Sequence, residues 1–263
     1  MKPLSPHDLA WALRLMPRPV RDAMRKYGRK MVCAGGFVRA AIAREPVSDI
    51  DFFAPSKDVA DVLAKALCPE DRKVITTDNA FTVVGRRHCL QFIHRWVFER
   101  PEDVIASFDF TVARAAFWWQ DEIAPAPVQS HWESLCDDRY YEDLAAKRLV
   151  YCSPVRNEDA GGSMLRVLKF YQKGYRIPLD SLGAVIARLT MAVDHEQIKD
   201  NFDPFDREAR VAKVLTALLV EVDPNVDPEH LCHLPTLKEM EAEDAAEKAE
   251  PQTIPPAKLS QTE

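Results

Sequence analysis

No apolar run in the 263 residues approaches the length of about 20 that a membrane-spanning helix needs, so no membrane partner is expected. The six cysteines, at positions 33, 68, 89, 136, 152 and 232, include no CxxC and no paired spacing. That removes the usual pattern of a zinc site or a disulfide framework and leaves reduced, mostly buried thiols. The N-terminus lacks the basic stretch, apolar run and small-residue cleavage site of a secretory signal, and no internal repeat is present. A cytoplasmic, bacterial-type protein is the simplest expectation. Excess positive charge is also missing. A net charge of -6 and a pI near 5.7 exclude nucleic-acid binding through the overall field, though a local basic face stays open. What is present is 47% hydrophobic residues, enough for a real core in one large domain or two modest ones.

Leu9, Leu13, Met16, Val20 and Met24 recur at roughly helical spacing, broken by Pro17 and Pro19, which predicts two short helices over residues 1–29. Arg14, Arg18, Arg21, Arg25, Lys26, Arg29 and Lys30 sit among them, either as a solvated helix face or as a polyanion-binding one. From residue 30 the pattern turns to short apolar runs. Strands are expected at 30–34, 50–53, 73–76, 81–84, 89–93 and 108–116, and helices at 37–43, 57–67 and 101–107. Residues 30–130 therefore read as an α+β unit around a mixed sheet of about five strands. From about Trp132 helix signals dominate, clearest at 164–172, 182–193 and 206–221, giving a helical region over 131–235. The composition of 236–263, rich in Glu, Ala, Lys, Pro, Gln and Thr, predicts a disordered tail.

The chemistry concentrates between Ala34 and Phe53. Gly35 and Gly36 follow a strand, so the backbone can turn sharply and open a helix whose free N–H groups and dipole favour a phosphate. In Asp49-Ile50-Asp51 the two carboxylates fall on one side of an extended strand while Ile50 points the other way. Convergent carboxylates suit Mg²⁺, whose shell a nucleotide's phosphates and water would complete. Two such ions, about 4 Å apart, clamp the attacking and leaving oxygens of an in-line displacement. Asp109, a lone acid in an apolar stretch, is the candidate third carboxylate, since an unpaired charge there would be costly. A bare DxD is common in turns and helix caps, and Gly-Gly alone is equally weak. Their succession as strand, turn, helix and acid-bearing strand is far more specific.

The run Gly35, Gly36, Val38, Arg39, Arg44, Asp49 and Asp51 resembles the head-domain signature of the polynucleotide adenylyltransferases, the bacterial poly(A) polymerases and CCA-adding enzymes of the DNA polymerase β nucleotidyltransferase superfamily. Phe108-Asp109-Phe110-Thr111 resembles the second motif of that family. Glu158-Asp159 with Leu165 to Phe170, ending at Gly174-Tyr175, resembles the neck helix. The resemblance covers roughly residues 30 to 180. It implies a polymerase β-like head, with Asp49 and Asp51 holding Mg²⁺ and Gly35, Gly36, Arg39 and Arg44 orienting the phosphates of an NTP, ATP being expected. Asp109 would complete the metal site or contact the ribose. Arg166 and Lys169, three apart on the neck helix, share a face, from which they either reach the nucleotide or pair with surface acids. Ala40 replaces the family's acid after Val-Arg, Ser107-Phe108 replaces two arginines, and Ala160 to Ser163 stand where the base-choosing arginine belongs. Base preference is therefore not carried over.

The implied activity is transfer of a nucleoside monophosphate to a hydroxyl, with an RNA 3′ end as first acceptor. A small molecule or protein hydroxyl, or a silent nucleotide-binding fold, are the alternatives, and a protein partner is not specified. Gln91 reads as structural or substrate-contacting, because an amide cannot replace a carboxylate charge. His230, Cys232 and His233 read as a polar loop, and Cys33 as a buried strand residue. Of Trp118 and Trp119 at least one is expected in the core, and stacking on a base is the other use.

Overall fold

The chain is described by a computed structural model over residues 1–85, 87–121, 130–153 and 160–222. It divides into two compact units: residues 1–158 with 167–185, and residues 159–166 with 186–263. The expected tail at 236–263, the Pro-containing stretch 124–128, Glu158-Asp159 and the His230, Cys232 and His233 group lie outside the described residues.

Two helices open the first unit, α1 (Pro6–Leu15) and α2 (Arg18–Tyr27). Ser5 caps α1 by accepting the Asp8 N–H at 3.2 Å, and Pro17 and Pro19 force the break that the sequence predicts. Next come β1 (Val32–Ala34), α3 (Gly36–Ala43), β2 (Asp49–Phe53) and α4 (Lys57–Leu67), the last capped by Ser56. A meander of β3 (Val74–Thr76), β4 (Ala80–Val84) and β5 (Cys89–Ile93) follows, then α5 (Pro101–Ala106). The unit continues with β6 (Ala115–Gln120), β7 (His131–Cys136) and α6 (Tyr140–Ala145).

The fold is α+β, with seven strands in the order β3-β4-β5-β2-β1-β6-β7. Every pairing is antiparallel except β2 with β5, which run parallel because α4 and the β3-β4 hairpin intervene. Period-two alternation sorts the side chains. Ile50 and Phe52 share one face with Cys33, Val83, Leu90, Phe92 and Phe117, and α3 and α4 pack on it. Phe52 stacks on Phe92 with ring centroids 5.4 Å apart, and each such buried ring contributes about 1.5–3 kcal/mol. On the other face Val32, Ala34, Phe53, Ala116 and Trp118 pack against Val104 and Ile105 of α5. The part of that face over β2, β5 and β4 carries half-buried Asp49, Asp51, Gln91 and Thr82.

In the first unit α1 packs on α3, α2 packs on β6, and Lys2 bridges Cys136 of β7 through paired backbone bonds of 3.0 and 2.8 Å. Two expectations are corrected. Residues 108–116 are not one strand. Arg114 folds back, its Nε donating to the Phe108 carbonyl at 2.9 Å and its Nη2 to those of Ala106 and Cys152 at 3.3 and 3.1 Å. The segment thereby curls through a 3-10 turn at Thr111–Ala113, and only from Ala115 does it extend. Helix does not begin at Trp132, because His131–Cys136 pairs residue for residue with β6. Its inward positions include Ser134, buried with its hydroxyl accepting the Leu4 N–H at 3.2 Å, so the apolar alternation of a strand is absent from the sequence.

Four further helices are described: α7 (Ala160–Gln172), α8 (Leu179–Met191), the short α9 (His195–Asn201) and α10 (Pro204–Val222). Residues 167–185 belong to the first unit, and the beginning of α7, the end of α8, and α9 and α10 to the second. Within the second unit the Cβ of any residue replacing Gly161 would lie 2.6 Å from the Leu218 carbonyl oxygen, so the glycine allows α7 and α10 to approach closely.

Candidate active site

Asp49 and Asp51 stand two apart on β2, beside Cys89 and Gln91 of the parallel neighbour β5, with Thr82 of β4 opposite Gln91. Equal side-chain direction puts the two carboxylates and the Gln91 amide on one stretch of sheet. The Ser48 hydroxyl donates to the Asp49 carboxylate. Burial, and secondarily the charge of Asp49, push the Asp51 carboxyl up from 3.8 to about 7. Among the described residues neither acid has an ion-pair partner in arginine, lysine or histidine. The two acids therefore stand side by side, with Asp51 carrying its proton more readily than an ordinary carboxyl.

Gly35 sits one residue past the β1 end of the Cys33↔Phe52 register, which places the glycine turn at the acid-bearing end of β2. Its φ of 80° lies in the region that favours glycine, and a Cβ there would meet the Phe108 ring at 2.8 Å. The Gly35 N–H donates to the Ala115 carbonyl at 3.0 Å, fixing the turn against β6. Around the Cβ direction of Gly36 there is open space, nothing lying within 4 Å. The first turn of α3 therefore begins in a glycine-lined opening with backbone N–H groups that have no intrahelical partner.

The remaining expected residues divide. Arg39 is buried, ion-paired with Glu45, 3.4 Å from the Tyr175 hydroxyl and over the rings of Phe170 and Tyr175 at 5.1 and 5.8 Å. Burial lowers its pKa, but the Tyr175 hydrogen bond and the Glu45 charge outweigh it and leave the guanidinium above its ordinary value. It joins α3 to the chain around Tyr175. Arg44 ends α3 at φ 59° and stacks on Trp11 at 3.9 Å. Lys169 is exposed on the part of α7 in the first unit, and Arg166 on the part in the second.

Asp109 is buried in the bend before the 3-10 turn, its carbonyl accepting the Cys152 N–H at 2.7 Å. Among the described residues no three acidic, histidine or cysteine side chains group closely enough to hold a metal, so Asp109 does not complete a triad with Asp49 and Asp51. The segment that carries Asp109 is not extended: it leads into the 3-10 turn at Thr111–Ala113, and the strand that follows pairs with β1.

One residue escaped sequence reasoning. Lys173, just past α7, has its pKa lowered by burial and by Arg39, and feels both Glu45 and Asp49 as favourable charges. Its ammonium thus lies within electrostatic reach of Asp49. The only signal was its place beside the Gly174-Tyr175 end of the neck motif.

Other features settle simply. Trp118 is buried, its indole N–H donating to the Gln120 side-chain oxygen at 3.4 Å, and Trp119 packs on Trp132 at 5.3 Å, with Arg25 over both rings. Burial pushes the Cys33 thiol up, which keeps it inert. Three of the seven N-terminal basic residues are salt-bridged: Arg18 and Arg25 pair with Asp22, and Arg29 with Glu102.

Comparison with solved structures returns a Thermotoga maritima CCA-adding enzyme complexed with tRNA-CCA, at 15% identity and a TM-score of 0.46, covering 81% of this chain and 50% of that one. A CCA-adding enzyme with ATP matches at 15% identity and TM-score 0.48, covering 91% and 60%. A tRNA nucleotidyltransferase complexed with a primer tRNA and an incoming ATP analog matches at 17% and 0.47, covering 79% and 60%. The chain spans half to three-fifths of the length of these structures. Comparison with curated proteins gives no match. A family model described as Gabija anti-defense 2 family protein, Gad2, matches residues 15–147. That span is just over half of the chain and contains all seven strands with Gly35, Gly36, Asp49 and Asp51, and on it the chain belongs to the Gabija anti-defense 2 family.

Proposed function

We propose that the chain is a metal-dependent nucleotidyltransferase that counters Gabija defence by moving a nucleoside monophosphate from an NTP to a hydroxyl on a component of that defence. The observation that carries the reading is the Asp49 and Asp51 pair, adjacent on an open stretch of sheet, without a cationic partner among the described residues and next to a glycine-lined helix start. The residues fit a divalent cation. A carboxyl held up to about 7 by burial and a like-charged neighbour releases its proton when a cation supplies the missing positive charge. Asp49 and Asp51 would hold Mg²⁺, with water and phosphate oxygens as the other ligands, since two carboxylates alone bind a hard cation weakly. When bound, the metal would neutralise the polyphosphate and activate the attacking hydroxyl.

The protein's own contribution is positioning. The Gly35-Gly36 opening admits phosphate oxygens close to the backbone, and the free N–H groups of α3 orient them. Lys173 adds a mobile positive charge on the side of Asp49. Gln91, beside Asp51, can donate its amide to substrate oxygen without adding charge. Asp49 and Asp51 share the role of metal ligands, and Asp51, while protonated, keeps the empty pair from repelling itself apart. ATP is the expected donor, and a cytoplasmic setting supplies it.

A second reading, an RNA 3′ hydroxyl as acceptor, is favoured by the motif resemblance over residues 30 to 180. One experiment separates them. Purified chain is incubated with each labelled NTP and Mg²⁺, with purified Gabija proteins or with bulk RNA, and labelled products are resolved on a gel. Label on a Gabija protein, lost in the Asp49→Ala, Asp51→Ala variant, is expected. Label on RNA alone moves the acceptor to the second reading. No transfer, with the double variant still protecting cells from Gabija, would overturn the enzymatic proposal.

A further inference from the structure

On the face of the sheet opposite the acid pair, a cleft of about 470 Å³ opens between the α1–α2 junction, the end of α4 and the β4–β5 turn. Register fixes the side: Val83 pairs with Leu90 and Leu90 with Ile50, so all three point away from Asp49 and Asp51. The floor is aliphatic, formed by Val20, Leu67, Val83 and Leu90, and among the described residues no acid lines the cleft. Its polar groups are Arg14, Arg87 and His88.

The cations set the chemistry. Arg14 and Arg87 are exposed, and among the described residues neither has a carboxylate partner, in contrast to Arg18 and Arg25 on α2 and Arg29 just past it. His88 bonds the Val47 carbonyl through Nδ1 at 2.9 Å, which leaves Nε2 for another partner. An adjoining cleft of about 350 Å³ shares Leu15 and His88, and its one acid, Glu45, is held by Arg39 and Tyr175. Among the described residues, positive charge on the rim is therefore uncompensated over an aliphatic floor, and no aromatic ring on which a base could stack lines the larger cleft.

We propose that this cleft is a second binding site, taking an organic anion with an aliphatic body, a carboxylate or phosphate monoester whose head group meets Arg14 and Arg87 while its chain lies on Val20, Leu67, Val83 and Leu90. A volume of this size is ordinary for a small-molecule site, and two guanidiniums recognise either head group by charge-assisted hydrogen bonds. The site is separate from the acid pair and does not depend on nucleotidyl transfer.

The test is calorimetric titration of the full chain with decanoate and with decyl phosphate, using decyltrimethylammonium as a cationic probe of the same tail. Saturable one-site binding of an anion is expected, at least about tenfold tighter than the cation. The relative affinities of the two anions identify the head group. Arg14→Gln with Arg87→Gln, both exposed and so harmless to folding, should weaken the anion about tenfold. Leu67→Trp, which fills the cleft from a half-buried position, should abolish it, and thermal melts of both variants check the fold. No saturable anion binding, equal binding of anion and cation, or unchanged affinity in either folded variant would overturn the site.

Discussion

The state of Asp51 gives the sharpest test of the acid pair. A carboxyl moved from 3.8 to about 7 disfavours its ionised form by about 4 kcal/mol, and partial access of water to the half-buried side chain reduces the expected effect to about 2–4 kcal/mol. The native state holds this proton more tightly than the unfolded chain, so the contribution is most favourable below the unfolded value and is lost as pH rises from about 4 through 7. Asp51→Asn keeps the shape without the charge. In EDTA the variant should be more stable than the wild type at pH 8 by about 2–4 kcal/mol, and the gap should close by pH 4. Asp49→Asn should bring the Asp51 carboxyl down only partway, because burial is the larger cause. Mg²⁺ at pH 8 should stabilise the wild type and leave Asp51→Asn nearly unmoved. Urea unfolding across pH, with a carboxyl-carbon NMR titration of Asp51, measures all of this. A gap constant from pH 4 to 8, or an Asp51 carboxyl titrating near 4, would refute the reasoning.

Gly35→Ala should cost about 2 kcal/mol or more, from a φ of 80° and a methyl 2.8 Å from the Phe108 ring, and a urea midpoint shift reads it. Asp143, fully buried, accepts the Thr111 hydroxyl at 2.7 Å and ion-pairs with Arg139 and Arg148 at 3.2 and 3.0 Å; Asp143→Ala should destabilise by about 3 kcal/mol, the partial exposure of both arginines keeping it from being larger. Arg39 and Lys173 should separate in steady-state kinetics and melting: Lys173→Met should raise KM for the NTP with little change in Tm, and Arg39→Met should lower Tm by uncoupling α3 from Glu45 and Tyr175. Equal loss of stability in both variants would remove Lys173 from the site.

Local pattern carried most of the sheet and missed what long-range contacts decide. β2, α4 and β5 are legible because their alternation or helical spacing is set by a core on one side of each element. β7 was invisible because its inward positions hold Ser134 and Cys136, and Ser134 is acceptable there only because Leu4, 130 residues away, supplies a backbone donor. The same holds for the site. Asp49, Asp51, Gly35 and Gly36 depend on one strand and one turn, so their arrangement follows from sequence neighbours. Asp109 depended on residues 108–116 being extended, and the three carbonyls that Arg114 gathers are drawn from both sides of the chain up to Cys152. Arg39 has the motif spacing of a phosphate ligand, yet Glu45 satisfies its charge six residues later, a pairing that spacing alone does not rank above a substrate. Charge accounting makes the distinction that motif matching does not: Arg39 is paired with Glu45 within the protein, whereas Asp51, pushed up to about 7, has no ion-pair partner among the described residues.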